Sequence, residues 1–105
     1  RGITEGDIVK VFNGRGACLC GANITNDVMP GVVIISTGSW YDPVDPADPN
    51  SMCKHGNPNV LSPDIGTSKL GQGPAAHSCL AEIELYEGPA QNITAFKPPE
   101  IIKKK

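Results

Sequence analysis

Long apolar runs are missing from this sequence. Nothing approaches the roughly 18 to 20 consecutive apolar residues that a membrane-spanning helix needs. Basic charge is equally scarce: 9 Lys and Arg stand against 11 Asp and Glu, a formal net charge of −2. Without a basic field there is no general attraction to nucleic acid or to an anionic membrane surface. The one basic cluster, Lys103-Lys104-Lys105, reads as a solvated or appended tail rather than a binding patch. No secretory signal is visible. The chain opens on Arg-Gly-Ile-Thr-Glu-Gly-Asp with no methionine, as a mature or excised fragment does.

Recognisable metal and catalytic patterns are lacking too. Cys18 and Cys20 form a C-x-C whose side chains share one face of a strand, and neither Cys53 nor Cys79 supplies the second close pair of a zinc site. Reduced, partly buried structural thiols are the expected state, with a disulfide of undetermined pairing as the alternative. His55 and His77 read as hydrogen-bonding residues, because no carboxylate or second histidine lies at ligand spacing. Gly71-Gln72-Gly73 is not a phosphate loop, since the G-x-x-x-x-G-K-[ST] spacing is absent. Ser39 and Ser78 have no Ser-His-Asp arrangement: Ser78 adjoins His77, and neighbours on a strand point to opposite faces. A small hydrolase built on His77 and Ser78 is thus the weakest reading, and no residue is assigned a catalytic role.

What is abundant is turn chemistry. Twelve glycines and ten prolines in 105 residues favour a turn-rich, mainly β protein, and the length allows one domain with a single core. Asp7 to Asn13 alternates, with Val9 and Val11 on one face and Ile8, Lys10 and Phe12 on the other. Asn13-Gly14 then predicts a hairpin through a type I′ turn, which requires positive φ at both central residues. The return strand is expected over 17–25, a third, β-branched strand over 31–37, and a last strand over 77–87. Between the last two lies a long loop, with a helical turn expected at Ser62-Pro63. The proline-rich tail after Glu87 is expected to drape over the surface. Asn23 and Asn92 head glycosylation sequons of a kind that arises often by chance.

The loop poses the functional question. Residues 36–70 hold five of the ten prolines, and Trp40, Tyr41, Met52, Val60, Leu61, Ile65 and Leu70 within it need burial against something. A loop of this length in a compact domain is usually functional or disordered, and these side chains argue against disorder. A ligand or partner surface is the physical answer. His55, Gly56, Asn57 and Asn59 offer two carboxamides on a backbone freed by glycine, suited to the mixed donor and acceptor edges of flat heterocycles. An Asx-turn network that merely holds the loop is the competing account. Gln72 with Gly71 and Gly73 offers another amide edge beside approachable backbone. Trp40 and Tyr41 either stack on a ring system or anchor the loop. Asp42 either accepts paired N–H groups or caps the turn before Pro43.

Two stretches carry a family resemblance: "GITEGDIVKVFNGRGACLCGANITNDVMPGVVIISTGSWYDP" and "CKHGNPNVLSPDIGTSKLGQGPAAHSCLAEIE". They resemble the C-terminal domain of the dimethyl sulfoxide, trimethylamine N-oxide and biotin sulfoxide reductases, over about residues 1 to 87. "STGSWYDP" and the run from "KHGNPNVL" to "AH" are specific to that branch. The resemblance implies a six-stranded double-psi β-barrel of the aspartate-decarboxylase-like type over 1–87, and a Pro/Lys-rich tail over 88–105. It further implies that the domain caps bis-molybdopterin guanine dinucleotide (bis-MGD), with molybdenum held by the rest of the enzyme.

Under that resemblance the cofactor-binding candidates are Trp40, Tyr41, Asp42, His55, Gly56, Asn57, Asn59, Gln72 and Gly73. The implied partners are the remaining domains of the reductase and an electron-donor protein such as a cytochrome. The implied location is the periplasm, or the cytoplasm for a biotin sulfoxide reductase. Two departures matter. The family's domain usually begins with a further strand-bearing segment before Arg1, so the barrel is expected to be incomplete or loosened here. The serine that ligates molybdenum comes from a distant earlier domain, so this piece alone is expected to be inactive. A standalone β-barrel module without cofactor is the competing class.

Overall fold

The computed structural model describes residues 2–73, 75, 79–98 and 100–103. Three strands form one antiparallel sheet: β1, Ile8–Phe12; β2, Ala17–Gly21; and β3, Glu82–Leu85, in the order β2-β1-β3. The register opposes Val9 to Cys20 and Leu85, and Val11 to Cys18 and Ile83. Directly opposed residues share a face. The alternation in β1 therefore defines one apolar face, on which Val9 and Val11 are buried against Cys18, Cys53 and Leu61. The other face is mixed, as its sequence predicts. Lys10 opposes Glu84 at 3.9 Å and lies over the Phe12 ring.

The outer edge of β2 is covered by the long loop. Cys53 N–H donates to the Ala17 carbonyl and Leu19 N–H donates to the Cys53 carbonyl, a parallel bridge between Cys18 and Cys53. Residues 42–44 pair antiparallel with 52–54 through Val44 N–H to Met52 O and Lys54 N–H to Asp42 O. This pairing leaves less of the β2 backbone open, as edge strands require. The intervening turn is closed by side chains: Ser51 Oγ accepts from Asp45 N–H, and Asp45 and Asp48 each accept from the backbone two residues on.

Several expectations are corrected. Neither Asn13 nor Gly14 takes a positive φ. The hairpin instead closes with Asn13 N–H on the Gly16 carbonyl, while Asn13 Oδ1 accepts from Arg15 N–H in an Asx turn. Gly16 is the tight position of this turn, where an added Cβ would meet the Val60 carbonyl at 2.9 Å. β2 ends at Gly21, so Asn23 lies beyond it and is exposed.

Residues 31–37 form no strand: no neighbouring segment among the described residues offers them a ladder, and Val32, Val33 and Ile34 are 49, 53 and 71% exposed. The last strand is confined to Glu82–Leu85, and His77 and Ser78, expected at its start, lie outside the described residues. The helical turn falls at Pro58–Val60, because Asn57 caps it and Pro58 takes its first position; Ser62 is not its cap. The sheet is open. The fold is mainly β with almost no helix, without a closed barrel among the described residues.

Candidate functional site

The expected site residues fall into two groups. The first is built where the long loop turns away from β2. Asp42 is buried, only 5% exposed, and its carboxylate is fully engaged. It accepts from Thr94 N–H at 2.6 Å, Thr94 Oγ1–H at 2.7 Å and Ala95 N–H at 2.9 Å, with Lys54 Nζ at 3.8 Å. Burial alone would raise this carboxyl group's pKa; the Thr94 hydrogen bonds, the Lys54 charge and the Ala95 N–H outweigh it and hold the group below the ordinary carboxylate value. The donors that Asp42 meets in this structure are the chain's own tail, not the guanidine-like N–H pair of a ligand that the sequence suggests.

Trp40 and His55 complete this group. His55 Nδ1 lies 3.1 Å from the Trp40 carbonyl. Since a carbonyl can only accept, that nitrogen carries the proton and donates. Phe96, from the tail, packs against both rings: 5.2 Å from His55 edge-on and 5.6 Å from Trp40 at a tilt of 43°. These separations fall in the favourable range for aromatic pairs. Trp40 nevertheless remains 64% exposed and Tyr41 47% exposed. The tail is therefore pinned at Thr94, Ala95 and Phe96 rather than merely draped.

Gly56 follows with φ of +72°, its backbone so close to β2 that a Cβ would stand 3.3 Å from both Cys20 Sγ and the Leu19 carbonyl. Glycine is required there for conformation and for room. Asn57 Oδ1 accepts from Asn59 N–H at 2.9 Å, the Asx-turn arrangement that sequence reasoning set beside ligand binding. The Asn59 side chain is exposed.

Gln72 and Gly73 form the second group, in a separate turn. Thr67 N–H donates to the Gly73 carbonyl, Gln72 takes a φ of +47°, and its Nε2 donates back to the Lys69 carbonyl. The geometry thus joins Trp40 and His55 directly, ties Asp42 to them through the tail, continues into Gly56, Asn57 and Asn59, and leaves Gln72 and Gly73 in a turn with its own bonds.

Sequence reasoning missed Lys54, Thr94 and Phe96. Thr94 lies 52 residues from Asp42, and no local pattern marks so distant a partner. It also missed Asn13, whose Nδ2 donates to the carbonyls of Leu61 and Leu80, tying the hairpin to the loop and to the approach of β3. The four thiols are all free. Among the described residues, no cluster of three or more His, Cys, Asp or Glu is arranged to hold a metal ion, and no helix is long and apolar enough to cross a membrane.

Comparison with known sequences decides the family. Residues 1–80 match the family described as the molydopterin dinucleotide binding domain. The chain belongs to that family. It is 56% identical over 99 residues to a trimethylamine-N-oxide reductase of Salmonella typhimurium, 51% over 100 residues to a dimethyl sulfoxide/trimethylamine N-oxide reductase of Rhodobacter capsulatus, and 43% over 101 residues to a trimethylamine-N-oxide reductase of Haemophilus influenzae. These alignments cover 94 to 95% of this chain but only 12% of each relative, so the chain spans about an eighth of the length of the proteins it matches. The similarity extends across the long loop and most of the domain, as the resemblance in the sequence implies.

Proposed function

We propose that this chain is the C-terminal cofactor-binding part of a molybdenum S- or N-oxide reductase, with a domain over residues 1–87 and a tail over 88–105. The observation that carries this reading is the alignment of 94% of the chain with a trimethylamine-N-oxide reductase of which it forms 12%. The ligand is bis-MGD, and molybdenum is held by the rest of the enzyme. In the full-length enzyme the open sheet is completed into the six-stranded double-psi barrel by segments outside this chain.

The residues present fit such a ligand in chemical type. The loop leaves Trp40 and Tyr41 exposed as aromatic faces and Asn59 exposed as a carboxamide edge. Gly56 brings bare backbone close to β2. Asn59 and the Asn57 amide hydrogen-bond the pterin or phosphate edges, with Gln72 and Gly73 lining the same crevice once the enzyme is complete. His55 and Asp42 act on the loop rather than the ligand: they fix the Trp40 carbonyl and the tail, and so hold the aromatic faces in place. When bound, the cofactor would supply the oxygen-atom-transfer chemistry, with electrons from a donor protein. This chain's part is to bind, orient and exclude water. A standalone module without cofactor gains no support from relatives so much longer than this chain.

The substrate is dimethyl sulfoxide or trimethylamine N-oxide in a periplasmic enzyme, or biotin sulfoxide in a cytoplasmic one. Metal and pterin analysis of the full-length protein, followed by reduction assays on the three oxides, tests the proposal. Molybdenum with two pterin dinucleotides and turnover of at least one oxide are expected; a purified protein free of both overturns it.

A further inference from the structure

Three thiols converge where the long loop meets β2. Cys18 and Cys20, two residues apart on one face, bring their sulfurs to 3.9 Å, and Cys53 is the bridge partner of Cys18. Cys18 and Cys53 are fully buried. Cys20 is half-buried and lines a cavity of about 410 Å³ whose wall also includes Leu19, Lys54, His55 and Tyr86. Backbone at Gly56 closes off the sulfur on the loop side. Cys53 Sγ accepts from Asp42 N–H at 3.5 Å, whereas the Cys18 and Cys20 sulfurs meet each other, and neither of those two is needed for the cofactor reading.

We propose that Cys20 is an oxidation site, reached through this cavity by a small hydroperoxide, and that Cys18 is the resolving thiol that converts the product to a Cys18–Cys20 disulfide. In the first step Cys20 sulfur attacks the terminal peroxide oxygen. A sulfur–oxygen bond forms, the oxygen–oxygen bond breaks, and the thiol proton goes to the departing oxygen, giving an alcohol or water. Cys20 loses two electrons to the peroxide and becomes a sulfenic acid. Cys18 sulfur then attacks Cys20 sulfur; the sulfur–sulfur bond forms, the sulfur–oxygen bond breaks, and the hydroxyl leaves with the Cys18 proton as water.

The surroundings favour these roles. The hydrogen bond from Cys18 lowers the pKa of the Cys20 thiol from its ordinary value, against the opposing effect of burial. The same bond, then burial, then the neighbouring Cys20 and Cys53, raise that of Cys18. An accessible thiol that ionises readily attacks first, and a buried one follows. Positions two apart on a strand place their Cα atoms about 6.7 Å apart, near the upper end of what a disulfide bridges, and their Cβ atoms wider than its usual span, so closing the bond takes a local shift of β2 and leaves a strained disulfide that a dithiol readily reopens. Cys79 provides an internal control: it is also half-buried, but its S–H donates to the Leu61 carbonyl at 3.1 Å.

The test treats the full-length protein with limiting hydrogen peroxide, blocks the remaining thiols and maps peptides by mass spectrometry. Cys18 and Cys20 should appear linked before Cys53 or Cys79 is oxidised, and a dithiol should restore both. In Cys18→Ser, Cys20 should persist as a sulfenic acid captured by a dimedone probe; in Cys20→Ser, Cys18 should stay reduced at the same dose. Because Cys18 lies in the core and its variant can fail to fold, alkylation of the unmodified protein gives a second reading. Iodoacetamide should label Cys20 on the order of tenfold faster than Cys79. Oxidation of Cys53 or Cys79 ahead of Cys20, or labelling of Cys20 no faster than Cys79, overturns the proposal.

Discussion

Asp42 shows how one buried side chain can organise the end of a long loop. Its carboxylate gathers three hydrogen bonds from Thr94 and Ala95 and sits beside Lys54, so the tail, the loop end and the aromatic cluster share one buried anchor. A group whose pKa is lowered on folding stabilises the fold fully above its unfolded value, about 3.9, and loses that contribution as the pH falls through the lower folded value. Protection of the Thr94 and Ala95 amides, relative to their intrinsic exchange rate at each pH, should therefore be high near neutral pH and fall only below about pH 4. Asp42→Asn should release the tail at every pH, at a loss of about 1 to 3 kcal/mol, because Lys54 is left buried and the charged bonds become neutral ones. Unchanged exchange in the variant would show that the tail is held elsewhere. Gly56 makes a different demand. Gly56→Ala forces a Cβ into a positive-φ position 3.3 Å from Cys20 Sγ and the Leu19 carbonyl, and should destabilise by about 1 to 2 kcal/mol in chemical denaturation, with the lost stability in the 53–59 loop.

At the scale of elements, the parts legible in the sequence are those whose cause is local. Alternation over residues 8–12 names the buried Val9 and Val11, and Asn13-Gly14 marks the reversal, although the turn is closed by an Asx bond instead of positive φ. Residues 31–37 have an equally strong β pattern and yet join no strand ladder among the described residues, since pattern describes a strand's faces but not whether a neighbour is there to bond it. The 3-10 turn was displaced by a few residues because Asn57 is as good a cap as Ser62 and stands directly before a proline. The tail anchor was illegible because its partners are half the chain apart. Leu61 is where the turn joins the sheet: it is 4% exposed, it packs in the core with Val9 and Val11, and its carbonyl accepts from Asn13. Leu61→Ala should cost about 2 to 4 kcal/mol by thermal or denaturant unfolding. A loss below about 1 kcal/mol would mean that the core is less closely packed at this point than the burial indicates.

For the molecule as a whole, the decisive quantity is unburied surface. The radius of gyration is 16.1 Å, against about 13 Å for a compact domain of this length. The accessible area is 8416 Å², where a folded monomer of 11.0 kDa exposes about 5,600 Å². The excess, about 2,800 Å², would be one partner's share of an interface at the large, obligate end of the scale, and exposed apolar side chains contribute to it: Ile34, Leu70 and Leu80 are 71, 98 and 89% exposed. Six buried hydrophobic side chains among the described residues are a small core to order a chain of 105, so much of the stability of this segment must come from what covers it. Hydrogen exchange on the full-length protein and on this segment alone tests that directly. The amides of Val33 and Ile34, in no strand among the described residues, should exchange rapidly in the isolated segment and be protected by on the order of a hundredfold or more in the full-length protein, where β1 amides should change least. Equal exchange in the two would mean that the apolar 31–35 segment faces solvent even in the complete enzyme, and the surface argument for a covering domain would fail.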